Sequence, residues 1–89
     1  MKYRLHRTAQ FKKDFKLISK RGWDLNKLKQ TVDMLINGKE LPQKCKPHML
    51  SGDWSGYTEC HVDPDWLLVY DIDGDLLTLY RTGSHSDIF

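Results

Sequence analysis

Cysteine, proline and long hydrophobic runs are scarce in this 89-residue sequence. Cys45 and Cys60 lack CxxC spacing, and two cysteines are too few for the disulfide scaffold of a small secreted domain. No stretch approaches the roughly 18 apolar residues that a membrane span needs, and the N-terminus lacks the apolar segment of a signal peptide. We therefore expect reduced thiols, no membrane segment and a cytoplasmic location.

Sequence motifs of several common enzyme classes are also missing. There is no P-loop, no GxSxG, no HExxH and no zinc-type pairing of cysteines. The sequence therefore does not predict a P-loop nucleotidase, a serine hydrolase of the α/β type or a zinc protease.

Positive charge is nearly absent from the second half of the chain. Residues 1–50 hold 13 Lys or Arg against 4 Asp or Glu, a balance of +9, whereas residues 51–89 hold 1 against 8, a balance of −7. A basic half attracts nucleic acid, which makes Lys12, Lys13 and Lys16 candidate contacts. The same lysines also suit an ordinary solvated helix face, and charge alone leaves both readings open.

The length fits one domain spanning residues 1–89, and its first half predicts a strand and two helices. Residues 2–6 alternate polar and apolar, as a short strand does. Thr8 is placed to cap a helix over residues 9–21, with Phe11, Phe15 and Ile18 on its apolar face. Asp24 is placed to cap a second helix, which carries Leu25, Leu28, Val32 and Leu35 and ends at Asn37-Gly38.

The second half predicts three strands after a proline-containing loop that carries His48. The strands cover residues 56–62, 66–70 and 76–81, with turns at Asp63-Pro64-Asp65 and Asp73-Gly74. Residues 66–70 are apolar on both faces, so this strand should be covered on both sides. The last residues are predicted to form a tail at the end of the sheet. Packing the helices on one sheet face gives an α+β fold of two layers with a small, largely antiparallel sheet.

Five polar residues lie near predicted loops and strand ends: His48, His61, Asp65, Arg81 and His85. RNA cleavage without a metal needs a base for the ribose 2′-OH, an acid for the departing 5′-oxygen and a cation for the phosphate. Histidine suits the first two roles because its pKa is near 6.5, and arginine suits the third. Trp66 and Phe89 could stack on an unpaired base. This chemistry needs no metal and no cofactor.

Each of these residues also has a structural interpretation. His48 fits a solvated loop, Asp65 fits a turn, Arg81 fits an ion pair with one of the acids near it in sequence, and the aromatic residues fit a core. A zinc site or a metal-dependent hydrolase remains an alternative, although the positions 48, 61 and 85 match no metal motif. A non-catalytic RNA-binding or partner-binding module is the other alternative.

The ordered segments PHMLSGDWSGY, HVDPDWLLVY and RTGSHSDIF resemble the YafQ branch of the RelE-type bacterial toxins. This resemblance implies a β-α-α-β-β-β order and a type II toxin that cleaves mRNA in the A site of the 70S ribosome. It also implies a cognate antitoxin as partner, and it implies that the basic helices face ribosomal RNA.

The resemblance also implies roles for the candidate residues. His85 would be the general acid and Arg81 the phosphate clamp, while His48, His61 and Asp65 would share the base and positioning roles, and Phe89 matches the family's terminal phenylalanine. Members closer to RelE proper use lysine, arginine and tyrosine, and this chain has no lysine after residue 50. The site should therefore follow the YafQ pattern.

Overall fold

The computed structural model describes residues 2–89, which contain a five-stranded mixed sheet with the strand order β1-β5-β4-β3-β2. The strands are β1 Arg4–Arg7, β2 His48–Met49, β3 Thr58–Asp63, β4 Trp66–Asp73 and β5 Leu76–Gly83. The helices are α1 Ala9–Lys20, α2 Leu25–Ile36 and the short α3 His85–Ile88. β1 runs parallel to β5, and the other neighbouring strands are antiparallel.

Helices α1 and α2 begin at the predicted caps. The Thr8 hydroxyl accepts a hydrogen bond from the Phe11 N–H at 3.1 Å, and Asp24 Oδ1 accepts one from the Asn26 N–H at 3.1 Å. Phe11 and Ile18 are buried as expected, but Phe15 is 38% exposed, and Asp14 is buried at 6% exposure. The apolar face of α1 is therefore interrupted by a buried carboxylate.

Strand β4 is covered on both faces, as its sequence predicts. Trp66, Leu68 and Tyr70 belong to a core cluster with α1 and α2, whereas Leu67 and Val69 pack with Ile88 of α3. This split follows from the alternation of side chains along a strand. Leu50, Trp54, Tyr57 and Tyr80 pack against the second cluster, so a loop and a short helix cover the face that α1 and α2 leave open.

Two local predictions were wrong. His48 lies on the edge strand β2 rather than in a loop, because His48 and Met49 pair with Glu59 and Thr58 of β3. Residues 85–88 form a helical turn rather than a tail. A capping box starts this turn, in which the Ser84 hydroxyl accepts from the Asp87 N–H and Asp87 Oδ2 accepts from the Ser84 N–H.

Both cysteines are buried and free, and burial raises the pKa of Cys60 to about 12. Such a thiol is almost entirely protonated at neutral pH, and the thiolate is the reactive form. Within residues 2–89, no helix is long and apolar enough to cross a membrane.

Candidate active site

Strand pairing and the β3–β4 turn bring four of the five candidate side chains into one cluster. His48 on β2 is paired with Glu59 on β3, two residues before His61. His85, at the start of α3, lies with its ring centroid 6.0 Å from that of His61. Asp65, in the turn before β4, contacts His85.

Asp65 holds His85 through two hydrogen bonds. Asp65 Oδ1 lies 3.0 Å from His85 Nδ1 and accepts a second bond from the His85 backbone N–H at 3.2 Å. The side-chain bond from His85 lowers the pKa of Asp65, so the carboxylate is ionised at neutral pH and acts as an acceptor. His85 Nδ1 therefore carries a proton, and Nε2 is the nitrogen left for proton exchange with a substrate.

His48 is oriented in the same way by a backbone carbonyl. Its Nδ1 lies 3.0 Å from the carbonyl oxygen of Lys46, which can only accept a hydrogen bond. Nδ1 is therefore the donor, and the neutral ring carries its lone pair on Nε2. With its side chain 53% exposed, His48 is accessible to a ligand.

Glu59 lies between two of the histidines, and the sequence reading missed it. Its side chain is 6% exposed, and its Oε1 lies 3.5 Å from His48 Nε2 and 3.8 Å from His61 Nε2. A protonated imidazole at either position would be attracted by this buried carboxylate. The available signal was strand alternation, because residues 59 and 61 share one face of β3.

Arg81 is already paired. Its Nε lies 2.7 Å from Asp14 Oδ2, and its Nη2 donates to Asp14 Oδ1 at 3.3 Å and to the Asp87 carbonyl at 3.2 Å. The ion pair that the sequence left open thus exists, although the partner lies in α1. Among the guanidinium nitrogens of Arg81, Nη1 is the one that has no hydrogen-bond partner in residues 2–89.

The two aromatic candidates differ in exposure. Trp66 is only 4% exposed, donates its indole N–H to the Thr82 hydroxyl at 2.9 Å and packs edge-on against Trp23. Phe89 is 54% exposed and lies 6.4 Å from the His85 ring, centroid to centroid. The structure therefore places Trp66 in the core, and Phe89 is the candidate whose ring is exposed enough to stack on a base.

The three lysine candidates lie on α1, which carries none of the residues of this cluster. Lys12, Lys13 and Lys16 are exposed on α1. Among residues 2–89, no three His, Cys, Asp or Glu side chains are grouped as a metal site requires. The arrangement of His48, Glu59, His61, Asp65 and His85 is suited to proton transfer at a site open to solvent.

The fold is that of a small α+β protein, and its candidate site is a cluster of three histidines and two carboxylates. The family model for YafQ, described as the bacterial toxin of a type II toxin–antitoxin system, matches residues 3–89. The mRNA interferase toxin YafQ of Escherichia coli K12 is 46% identical over 83 residues, which cover 92% of this chain and 90% of the relative. The chain belongs to the YafQ family of type II toxins, as its three motifs predicted.

Solved structures agree with this assignment. The crystal structure of YafQ from E. coli BL21(DE3) superposes with a TM-score of 0.94 at 42% identity, covering 98% of each chain. The E. coli DinJ–YafQ toxin–antitoxin complex contains a chain with a TM-score of 0.92 at 42% identity, covering 100% of this chain and 99% of that one. The predicted α+β class and element order are thereby confirmed.

Proposed function

We propose that this protein is a ribosome-dependent endoribonuclease that cleaves mRNA in the A site of the 70S ribosome and is neutralised by a cognate antitoxin. Membership of the YafQ family makes it a type II toxin, and the E. coli relative at 46% identity is an mRNA interferase. A structure of similar fold is a toxin–antitoxin complex, which supports the antitoxin partner. Ribosomes as the site of action place the protein in the bacterial cytoplasm.

The observation that carries the proposed chemistry is the pair of Nδ1 hydrogen bonds on His48 and His85. Lys46 O and Asp65 Oδ1 each hold one ring at 3.0 Å and direct proton exchange to Nε2. Two histidines with defined tautomers can act as base and acid in one reaction near neutral pH.

In the proposed reaction, His48 Nε2 takes the proton of the ribose 2′-OH. The 2′-oxygen forms a bond to phosphorus, and the bond from phosphorus to the 5′-oxygen breaks. His85 starts the reaction protonated on both ring nitrogens and gives the Nε2 proton to that departing oxygen, which leaves a 2′,3′-cyclic phosphate, a 5′-hydroxyl and a neutral His85 protonated on Nδ1. No metal or cofactor is needed to balance these steps.

The remaining residues position groups or stabilise charge. Asp65 orients His85, and Glu59 offsets the positive charge that His48 acquires when it takes the proton. His61 lies beside Glu59 and His85 and forms part of the wall of the site. Arg81 Nη1 stabilises the charge that develops on the phosphate oxygens.

Two surfaces would bind RNA outside the reacting centre. Phe89 stacks on an unpaired base beside His85. Lys12, Lys13 and Lys16 on α1 face ribosomal RNA, where their charges neutralise phosphates. Reversing these three charges should weaken ribosome association in a salt-dependent way, and unchanged association would remove this role.

Translation-coupled cleavage of a defined mRNA by the purified protein tests the function, with and without ribosomes. EDTA is added below the level that strips ribosomal magnesium. We expect cleavage only with ribosomes, no effect of EDTA, and loss of cleavage in His85→Ala but not in His6→Ala, whose histidine is exposed on β1. No cleavage by the wild type would favour a binding module, and chelator-sensitive cleavage of free RNA would favour a metal-dependent hydrolase.

A modified substrate separates the acid from the base. Replacing the bridging 5′-oxygen at the scissile bond with sulfur gives a leaving group that departs without protonation. His85→Ala should therefore recover cleavage on this substrate, whereas His48→Ala should not. Recovery in His48→Ala, or its absence in His85→Ala, would contradict the assigned roles.

A further inference from the structure

A basic cleft adjoins the candidate active site. Its volume is about 510 Å³, and His61 forms part of its wall. The other lining residues come from the turn before β2 and from the end of β3: Lys44, Lys46, Val62, Asp63 and Pro64. Pockets that hold small ligands measure roughly 300–1,000 Å³, so the space suits a group the size of a nucleotide.

The backbone at the rim of this cleft is strained. Lys46 has a φ of 44°, and in residues 2–89 it is the one residue other than glycine with a positive φ. Left-handed backbone costs free energy in an L-residue with a long side chain, and such residues cluster at functional sites. Here the strained turn presents the Lys46 carbonyl to His48 Nδ1 and places the Lys46 side chain along the cleft.

The charges around the cleft leave it cationic. Asp63 is its one lining carboxylate, and Asp63 Oδ2 is paired with Lys27 Nζ of α2 at 2.9 Å. Lys44 and Lys46 are exposed, and neither forms an ion pair with a residue in the described range 2–89. Two ammonium groups beside an active-site histidine are therefore free to meet an anion.

We infer that this cleft is a subsite for the backbone phosphate of an mRNA nucleotide flanking the scissile bond, held by Lys44 and Lys46. The inference rests on the proposed function, which brings a polyanionic strand to His48, His61 and His85. A strand cleaved within a chain must continue past the reacting phosphate, and lysines commonly neutralise the next ones. The cleft opens from the His61 side of the site, where such a strand would pass.

The test compares Lys44→Gln/Lys46→Gln with Lys20→Gln/Lys39→Gln, which removes two exposed positive charges elsewhere. Binding is measured on ribosomes programmed with a 2′-O-methyl mRNA that cannot be cleaved, and on ribosomes without mRNA. We expect the cleft variant to lose affinity several-fold on programmed ribosomes alone, with a salt slope lower by about 0.7, the contribution of one single-strand phosphate contact. An equal loss of affinity on ribosomes with and without mRNA would show that the lysines contact ribosomal RNA. A loss of affinity no greater than that of the control variant would show that they are solvated surface charges. Either result would overturn the subsite.

Replacing one mRNA phosphate with a neutral methylphosphonate identifies the phosphate that the cleft contacts. Placed at the correct flanking position, it should weaken wild-type binding to the level of the cleft variant and add nothing in that variant, as coupled partners do. Additive losses at both flanking positions would overturn the contact.

The inference and the proposed function fail separately. A wild type that does not associate with ribosomes would refute ribosome dependence. The same comparison on a free methylated oligonucleotide at low salt would then decide the subsite, because equal affinity of the two double variants would refute it.

Discussion

Arg81 of β5 and Asp14 of α1 form an ion pair across 67 residues of sequence, with Arg81 Nε 2.7 Å from Asp14 Oδ2. Asp14 Oδ2 also accepts the Thr82 N–H at 3.2 Å, so one carboxylate holds the end of β5 where the candidate site begins. Because Arg81 Nη2 donates to the Asp87 carbonyl, the contact extends to α3, the helix that carries His85.

Asp14→Asn should therefore lower both stability and activity. Removing one partner of a buried ion pair costs about 3 kcal/mol, and the Asp14 side chain is 8% exposed. Chemical denaturation should show this loss, while Asp33→Asn, an exposed change on α2, should stay within about 0.5 kcal/mol of wild type. A fall in kcat at a temperature where the variant is still folded would show that Asp14 also positions Arg81. Unchanged stability would contradict the pair.

Local patterns predicted the helices because caps and apolar spacing lie within a few residues of each other. Thr8 and Asp24 show this, since their bonds reach Phe11 and Asn26. The Arg81–Asp14 pair was not predicted, because the sequence analysis considered only acids close to Arg81 in sequence, and Asp14 is 67 residues away. His48 was placed in a loop because a two-residue edge strand has too few residues to show alternation.

The sequence named the candidate residues of the site but did not predict how they are arranged. Motif resemblance pointed to His48, His61 and His85, yet only the strand register reveals that Glu59 lies between two of them. Trp66 was read as either core or base platform, and its hydrogen bond to Thr82 depends on the pairing of β4 with β5.

Glu59→Gln should lower kcat by a larger factor than it changes KM. The amide keeps the size of the side chain but loses the negative charge 3.5 Å from His48 Nε2, so the positive charge that His48 acquires in the reaction is no longer offset. We expect a loss of about tenfold, below the roughly 10²–10⁴-fold that general acid–base catalysis contributes. Cleavage kinetics measure it, with the exposed Glu40→Gln as control. A rise in KM at constant kcat would instead assign Glu59 to substrate binding.

Asp65→Asn should loosen His85 without unfolding the chain. Asp65 is exposed and hydrogen bonded to His85, so the change removes a charged acceptor from the surface. NMR should show the His85 ring more mobile and its Nδ1 proton exchanging faster, with kcat lowered and the denaturation midpoint unchanged. Asp73→Asn, at the far end of β4, is the matched control. An unchanged His85 spectrum would refute the positioning role.

The bond between Asp65 and His85 also has a defined pH dependence. The pKa of Asp65 is lowered, mainly by the His85 side chain, so the folded state binds the proton more weakly than the unfolded chain. The contribution is complete above the ordinary aspartate pKa of about 3.9 and is lost as the pH falls through the folded value. Changes in activity between pH 6 and pH 8 therefore belong to other groups, and titration of Asp65 by NMR should be silent there.

The pair of Arg21 and Asp87 joins the end of α1 to α3, and it should make stability pH-dependent in acid. Arg21 Nη1 lies 2.6 Å from Asp87 Oδ2, and this bond, with the Ser84 N–H, holds the pKa of Asp87 well below its usual range. The stabilisation is therefore complete above pH of about 4 and is lost as the pH falls through the lowered pKa. Asp87→Asn should cost about 1 kcal/mol at neutral pH, the usual value of a capping interaction, and the difference from wild type should shrink below pH of about 4. Denaturation across pH 2–7 measures it, with Asp75→Asn, which breaks the more exposed pair with Arg4, expected to have a smaller effect. A difference that grows as the pH falls would contradict this account.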